Sequence, residues 1–325
     1  MKATAKAHSN IAFIKYWGRK EEILRLPSNG SISMNLSNLF TTTTVEFNPS
    51  LHNDDILVNG ERNNEINSRI TKHLDRIRVL LQKKTYAQVV SQNSFAASAG
   101  MASSASGFAA LTVAGVAAAG LQLSEKELSI LARQGSGSAC RSIPDGFVEW
   151  VDGNTSDDSY AHKLFDQSHW DICDIVTVIS KEKKDVSTSM GQQTASSSIF
   201  FQTRLNNIVQ KIHTCKELMK TRNFDEFGKL IEMEALELHT IMFTSWPSLI
   251  YLEPASLGVM KAVKRLREEG ISAYFTIDAG PNIHIICLQK DIDHIEKRIK
   301  TIPGVLETII NNASRGSYLI DNHLF

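Results

Sequence analysis

The chain has 325 residues, 42% hydrophobic and 22% charged, the balance of an ordinary globular protein. That length exceeds one ordinary core and implies two domains, divided near Lys181 as 1–180 and 181–325. Lys plus Arg and Asp plus Glu number 35 each, so no bulk charge draws the chain to nucleic acid or to an anionic membrane. Cys140, Cys173, Cys215 and Cys287 lack CxxC spacing and read as buried free thiols of a reducing compartment. The opening MKATAKAHSNIAF has no apolar signal core, and the expected location is cytoplasmic.

Residues 3–16 read as a strand whose end carries Lys15, Tyr16 and Arg19: two cations and a phenol that suit either an anion site or a solvated edge. Pro27–Gly30 marks a turn. SISMN (31–35) and TTTTVEF (41–47) read as two strands, and Asn59-Gly60 as a hairpin turn. Ile66, Ile70, Leu74, Ile77 and Leu81 have helical spacing, with Arg69, Lys72 and Arg76 on the polar face.

A strand at 86–90 leads into NSFAASAGMASSASG (93–107) and an alanine-rich helix. Small residues let main-chain N–H groups approach a ligand, and a helix start adds partial positive charge, which together favour phosphate. Ser103 and Ser104 fall in the first turn, within reach of a phosphate or a phosphate-bound Mg2+. A plain buried helix of small packing residues is the competing reading. The run 85–124 has no charge, but its Ala, Gly and Ser content argues against a membrane span. GxxxxGK[ST] is absent.

Ser124-Glu125-Lys126-Glu127 is a capping box opening a short helix. QGSGSACRS (134–142) is a second small-residue loop, ending in arginine, and 147–151 returns as a strand. After a strand at 176–179, STSMGQQTASSS (187–198) is a small polar segment, linker-like in composition. Helices follow at 200–219, 225–239 and 254–269. Strand 271–277, the turn DAGPN (278–282), strand 283–288 and a helix at 291–299 are half of a split βαβ pattern, so the second domain is α+β with an antiparallel sheet.

Asp278 ends an apolar strand, where a carboxylate is costly unless paired; it either caps its own turn or steers a hydroxyl. Arg141 offers the planar fork that grips carboxylate or phosphate, unless it is a surface arginine. No HExxH, zinc spacing or GxSxG occurs, which removes metal hydrolysis and acyl transfer. Phosphate loops, a possible Mg2+, an arginine and one aspartate suit phosphoryl transfer.

NIAFIKYWG (10–18), SAGMASSASG, QGSGSACRS, KDVSTSMG (184–191), the helix bearing His239 and FTIDAGPN (275–282) together resemble the mevalonate diphosphate decarboxylases. That family shares a superfamily with galactokinase, homoserine kinase and mevalonate kinase. The resemblance spans most of the chain. It implies an α+β fold of two domains, ribosomal-S5-domain-2-like then ferredoxin-like, with a cleft between them. It also implies ATP and Mg2+ as cofactors, a small-molecule substrate and a homodimer.

By resemblance, Asp278 faces the substrate 3-hydroxyl and Arg141 binds its carboxylate. Ser136, Gly137 and Ser138 lie beside it. Tyr16, Trp17, Gly18, Arg19 and Arg69 bind substrate, and Ser187, Thr188 and Ser189 meet its 5-phosphates. Asn93, Ser98, Ala99, Gly100, Met101, Ala102, Ser103 and Ser104 form the ATP phosphate loop, with Ser104 on Mg2+. The chain departs from the family pattern at Arg19, Ala96-Ala97 and Gln192. The implied reaction is ATP-dependent decarboxylation of mevalonate 5-diphosphate to isopentenyl diphosphate. The same chemistry on the 5-phosphate, a kinase without decarboxylation, and an idle binding relative are the alternatives.

Overall fold

The computed structural model describes residues 1–95, 103–182 and 186–325. The chain opens with β1 (Lys2–Ile14), a short ribbon of β2 (Arg19–Glu21) and β3 (Leu26–Pro27), β4 (Ser31–Asn48), β5 (Asp55–Val58), α1 (Asn64–Leu81) and β6 (Tyr86–Asn93). Then come α2 (Ser103–Ala118), α3 (Glu125–Gly135), a 3-10 turn (Gly137–Ser142), β7 (Phe147–Trp150) and β8 (Ala161–Phe165). The two strands expected at 31–35 and 41–47 are one long β4. It crosses the sheet, pairing first with β7 and further on with β6, while β1 runs beside both halves with a register shift between His8 and Asn10. Asn59 and Gly60 form the expected tight turn, but only one bridge, Val58 to Glu61, closes it; β5 instead runs parallel to β6.

The second half comprises β9 (Ile172–Val178), α4 (Thr188–Thr194), α5 (Phe201–Thr221), α6 (Phe224–Thr244), α7 (Pro254–Glu268), β10 (Ala273–Ile277), β11 (Ile283–Leu288), α8 (Ile292–Ile299), β12 (Glu307–Asn312) and β13 (Ser317–Ile320). Its sheet runs β10-β11-β9-β12, every pair antiparallel, which completes the split βαβ pattern. This sheet takes in residues 172–178, ahead of the division expected near 181. The chain then returns, and β13 pairs with β1 in the first sheet.

Helix α2 is buried almost all round, and its small residues let it lie close on β1 and β4. The capping box on α3 is present, with Ser124 and Glu127 each bonded to the other's main chain. Helices α7 and α8 cover the outer face of the second sheet. Its inner face shares one core with the first sheet, in which Ile11, Phe13 and Met34 meet Val176, Ile286 and Phe227. That shared core brings the end of β1 against the end of β10. No helix among the described residues is long and apolar enough to cross a membrane.

Candidate active site

Strand β10 is buried at every residue and stops at Asp278. The turn closes through the main chain, Gly280 N–H donating to the Asp278 carbonyl at 2.8 Å. The carboxylate is therefore not spent on capping its own turn. Its Oδ1 accepts from Lys15 Nζ at 2.6 Å, across the two sheets. The Lys15 side chain is 1% exposed, so this cation is no solvated edge, whereas 37% of the Asp278 side chain remains open. Burial alone would raise the Asp278 pKa; Lys15, His284 and Arg141 overcome it and hold the carboxyl below its ordinary value. His239 on α6 donates from Nε2 to the Asp278 carbonyl at 3.2 Å.

Arg141 sits in the 3-10 turn at 3% exposure. Its Nε lies 3.2 Å from Asn10 Oδ1 and 3.1 Å from Ser33 Oγ, Nη1 donates to Ser31 Oγ at 2.7 Å, and Nη2 to Asn10 Oδ1 at 3.1 Å. All these acceptors are neutral. Among the described residues no carboxylate pairs with this guanidinium, although a buried cation without an acid partner costs several kcal/mol. One N–H on each terminal nitrogen is left over from these bonds, a fork set for a carboxylate. Asn10 also braces the turn, donating to the Ser138 carbonyl at 3.2 Å and to Ser142 Oγ at 2.8 Å.

The segment Tyr16–Arg19 lies beside this turn. The Tyr16 ring packs edge-on to Trp150, 4.6 Å between centroids. A Cβ on Gly137 would stand 2.8 Å from that ring, so Gly137 is glycine because Tyr16 occupies its space. Trp17 turns away into a separate apolar cluster with Phe201 and Leu249. Gly18 has φ +89° and a Cβ there would strike Phe201 at 2.5 Å. Arg19 ties three elements together, through Tyr16 Oη at 2.8 Å, Glu22 at 2.7 Å and Ser189 Oγ at 3.2 Å. Ser187 Oγ accepts from Met190 N–H and caps α4, whose first residue is the exposed Thr188. Gln192 turns inward: its Oε1 accepts from Gly18 N–H at 2.6 Å and its Nε2 donates to the Tyr16 carbonyl at 3.3 Å.

A cavity opens between α1, α2 and β6, with Asn93, Ser103, Ser104, Phe108 and Arg69 in its wall. The Arg69 guanidinium lies over the Phe108 ring, 5.1 Å from its centroid. Ser136 Oγ donates to Ser104 Oγ at 3.3 Å, so the cavity wall reaches the Arg141 turn, but neither Arg141 nor Asp278 lines it. Ser98, Ala99, Gly100, Met101 and Ala102 lie outside the described residues.

Two further cations matter here. Lys15 was legible as one of two cations at a strand end, suited to an anion site or a solvated edge, but not as the partner of Asp278. Arg25 stands at φ +54°, strained for a side chain of its size, and donates from Nε to the Gln134 carbonyl at 3.1 Å. Burial, with the cations of Arg19, Arg69 and Arg76, pushes its pKa down to about 10. Nothing in the local sequence foretells that convergence of arginines.

Residues 7–161 match the model of the diphosphomevalonate decarboxylase-like N-terminal domain, and residues 174–318 that of the mevalonate 5-diphosphate decarboxylase C-terminal domain. The chain belongs to the diphosphomevalonate decarboxylase family. It is 35% identical to the diphosphomevalonate decarboxylase of Saccharomyces cerevisiae, over 93% of this chain and 83% of that one. Its fold is similar to the mevalonate diphosphate decarboxylase of Staphylococcus aureus, with 38% identity, TM-score 0.94 and 98% of each chain covered. The structure described as MDDEF in complex with MVAPP, AMPPCP and magnesium is similar at 35% identity and TM-score 0.93, over 99% of each chain. The two matched ranges together take in Lys15, Arg141 and Asp278.

Proposed function

We propose that this protein uses ATP to decarboxylate mevalonate 5-diphosphate, giving isopentenyl diphosphate, ADP, phosphate and CO2. One observation carries the proposal: an ionised Asp278 held by a buried Lys15, with a buried Arg141 that lacks an acid partner among the described residues. Asp278 orients the 3-hydroxyl and takes its proton as the γ-phosphoryl group arrives. The phosphate then leaves the tertiary carbon with the C–O electron pair. Asp278 gives the proton on to the departing phosphate and, again a carboxylate, stabilises the positive charge that develops there. The C1–C2 electron pair becomes the C2–C3 double bond, and CO2 departs. Arg141 fixes the substrate carboxylate through its two spare N–H groups, aligning that bond.

Asn93, Ser103 and Ser104 offer polar groups for the nucleotide, and Arg19, Arg25, Arg69 and Tyr16 for the 5-diphosphate substrate. Among the described residues no group of three His, Cys, Asp or Glu could hold a metal. The donor set fits a Mg2+ carried mainly by phosphate oxygens, with the Ser104 hydroxyl as the protein's contribution; the ion would neutralise phosphate charge. The four buried free cysteines support a reducing, cytoplasmic setting. The exposed row Met233, Leu236 and Phe243 on α6, with Trp246 beyond it, supports a homodimer.

A coupled assay for ADP and CO2, run with mevalonate, its 5-phosphate and its 5-diphosphate, tests the reading. Equal ADP and CO2 from the 5-diphosphate is expected. ADP without CO2 would make the protein a kinase, and preference for the 5-phosphate would move the substrate.

A further inference from the structure

Helix α6 touches both halves of the Lys15–Asp278 pair. Glu234 is fully buried, and its Oε1 accepts from the Lys15 main-chain N–H at 3.1 Å. Arg204 on α5, 1% exposed, donates to that same Oε1 at 2.5 Å and to the Lys15 carbonyl at 2.9 Å. Asn29 Nδ2 donates to the Lys15 carbonyl as well, at 2.8 Å. Five residues after Glu234, His239 holds the Asp278 carbonyl. The two main-chain positions are thus pinned to one rigid helix, little more than a turn apart.

Burial keeps Glu234 and Arg204 away from any substrate. Nor is stability a sufficient reason for them. A buried ion pair gains little over well-packed apolar residues of the same volume, because both charges lose their hydration. The outer part of the network already balances itself: Lys211 bonds Glu234 and Glu237, and Arg204 bonds Glu237 at 2.7 Å. What Glu234 adds is its bond to the backbone of the lysine that holds the reactive carboxylate.

We propose that Glu234, backed by Arg204, is a positioning residue: it fixes the Lys15 main chain so that the ammonium stays on Asp278, and α6 thereby sets the spacing of the pair. This rests on the decarboxylase reading of the site. The Lys15 ammonium feels Asp278 from the β10 turn, Glu234 from α6 and Arg141 from the first sheet's side, and acts in turn on His239 of α6. His284 on β11 acts on Asp278, Tyr16 on Arg141, and Arg204 and Lys211 of α5 bond Glu234.

The test compares Glu234→Gln with Glu237→Gln, using ATP, Mg2+ and mevalonate 5-diphosphate across the pH range of kcat. Glu234→Gln keeps an acceptor but loses the charge. Its kcat should fall by roughly 10- to 100-fold with both KM values within about threefold. The alkaline limb of its kcat profile should also move to lower pH, because one negative charge facing the ammonium is gone. Glu237→Gln removes a charge from the same network at a residue whose side chain is 31% exposed and does not bond Lys15. Its kcat should stay within about threefold, with the limb unmoved. Equal losses in the two variants, or a Glu234→Gln loss with the limb in place, assign the network to stability and overturn the proposal. If Glu234→Gln is recovered unfolded, Arg204→Lys replaces it: this keeps the charge but shortens the reach to the Lys15 carbonyl. A kcat fall of about fivefold or more is then expected, and an unchanged kcat overturns the proposal. Wild-type CO2 release in the same assay tests the decarboxylase reading separately.

Discussion

Lys15 Nζ and Asp278 Oδ1 lie 2.6 Å apart although 263 residues separate them in the chain. The pair is made where β1, ending at Ile14, and β10, ending at Ile277, come together. Lys15 lowers the Asp278 pKa, so its removal should raise it. In Lys15→Met the acid limb of kcat should therefore move to higher pH, since the carboxylate is protonated sooner, and kcat should fall by about 100-fold. A pH profile with its acid limb in place would show that Lys15 does not set the charge of Asp278.

Arg141→Lys keeps the charge and discards the fork. A lysine cannot bond Asn10, Ser31 and Ser33 together and still present two N–H groups to a carboxylate. Steady-state kinetics should show kcat/KM reduced by about 100-fold or more. Wild-type values would place Arg141 outside the bond-breaking step.

Gly137→Ala tests packing rather than charge. The new methyl would press on the Tyr16 ring, which Trp150 backs from the other side. Overpacking of this kind costs about 1–3 kcal/mol. If it is relieved by moving Tyr16, kcat/KM drops by about tenfold or more. An unchanged kcat/KM would mean that the Tyr16 hydroxyl has no part in substrate binding.

Two buried histidines govern stability below neutrality. Burial, then Arg76 and Arg25, pushes His73 from 6.5 to about 3; burial pushes His239 from 6.5 to about 4. Their Nδ1 atoms have no partner among the described residues. Below 6.5 the unfolded chain takes up protons that the native chain refuses, so stability falls as pH falls. The slope reaches at most about 1.4 kcal/mol per pH unit for each histidine. Urea unfolding at a series of pH values from about 7 to 4.5 should show that decline, and a flat series would mean that both rings already carry protons in the folded state.

The helices and the antiparallel second sheet were legible because their periodicity and caps are local: Ser124 and Glu127 announce α3, and Gly270 ends the α7 region. Other features were set by partners distant in sequence. The strands read at 31–35 and 41–47 are one because β1 pairs with both parts of β4, on either side of its register shift between His8 and Asn10. Strands β12 and β13 carry no alternation strong enough to announce them, and they form because β9 and β1 leave edges to cover. At the site, Asp278 and Arg141 stood out as charges in apolar or small-residue surroundings. Gln192 did not reveal its role: it reads as a polar residue in a linker-like run, yet its amide closes on Gly18 and Tyr16. Glu234 looked like one more acid on an amphipathic helix, because burial by another domain leaves no trace in a helix's own spacing.

Carboxyl-labelled mevalonate 5-diphosphate gives the most direct test of the Asp278 role, by comparing single-turnover CO2 release from wild type and Asp278→Ala at saturating ATP. The variant should bind both ligands with nearly unchanged affinity and release CO2 at least ~1,000-fold more slowly. Release at a near-normal rate would show that the carboxylate paired with Lys15 is architectural and that the bond-breaking chemistry belongs to other residues.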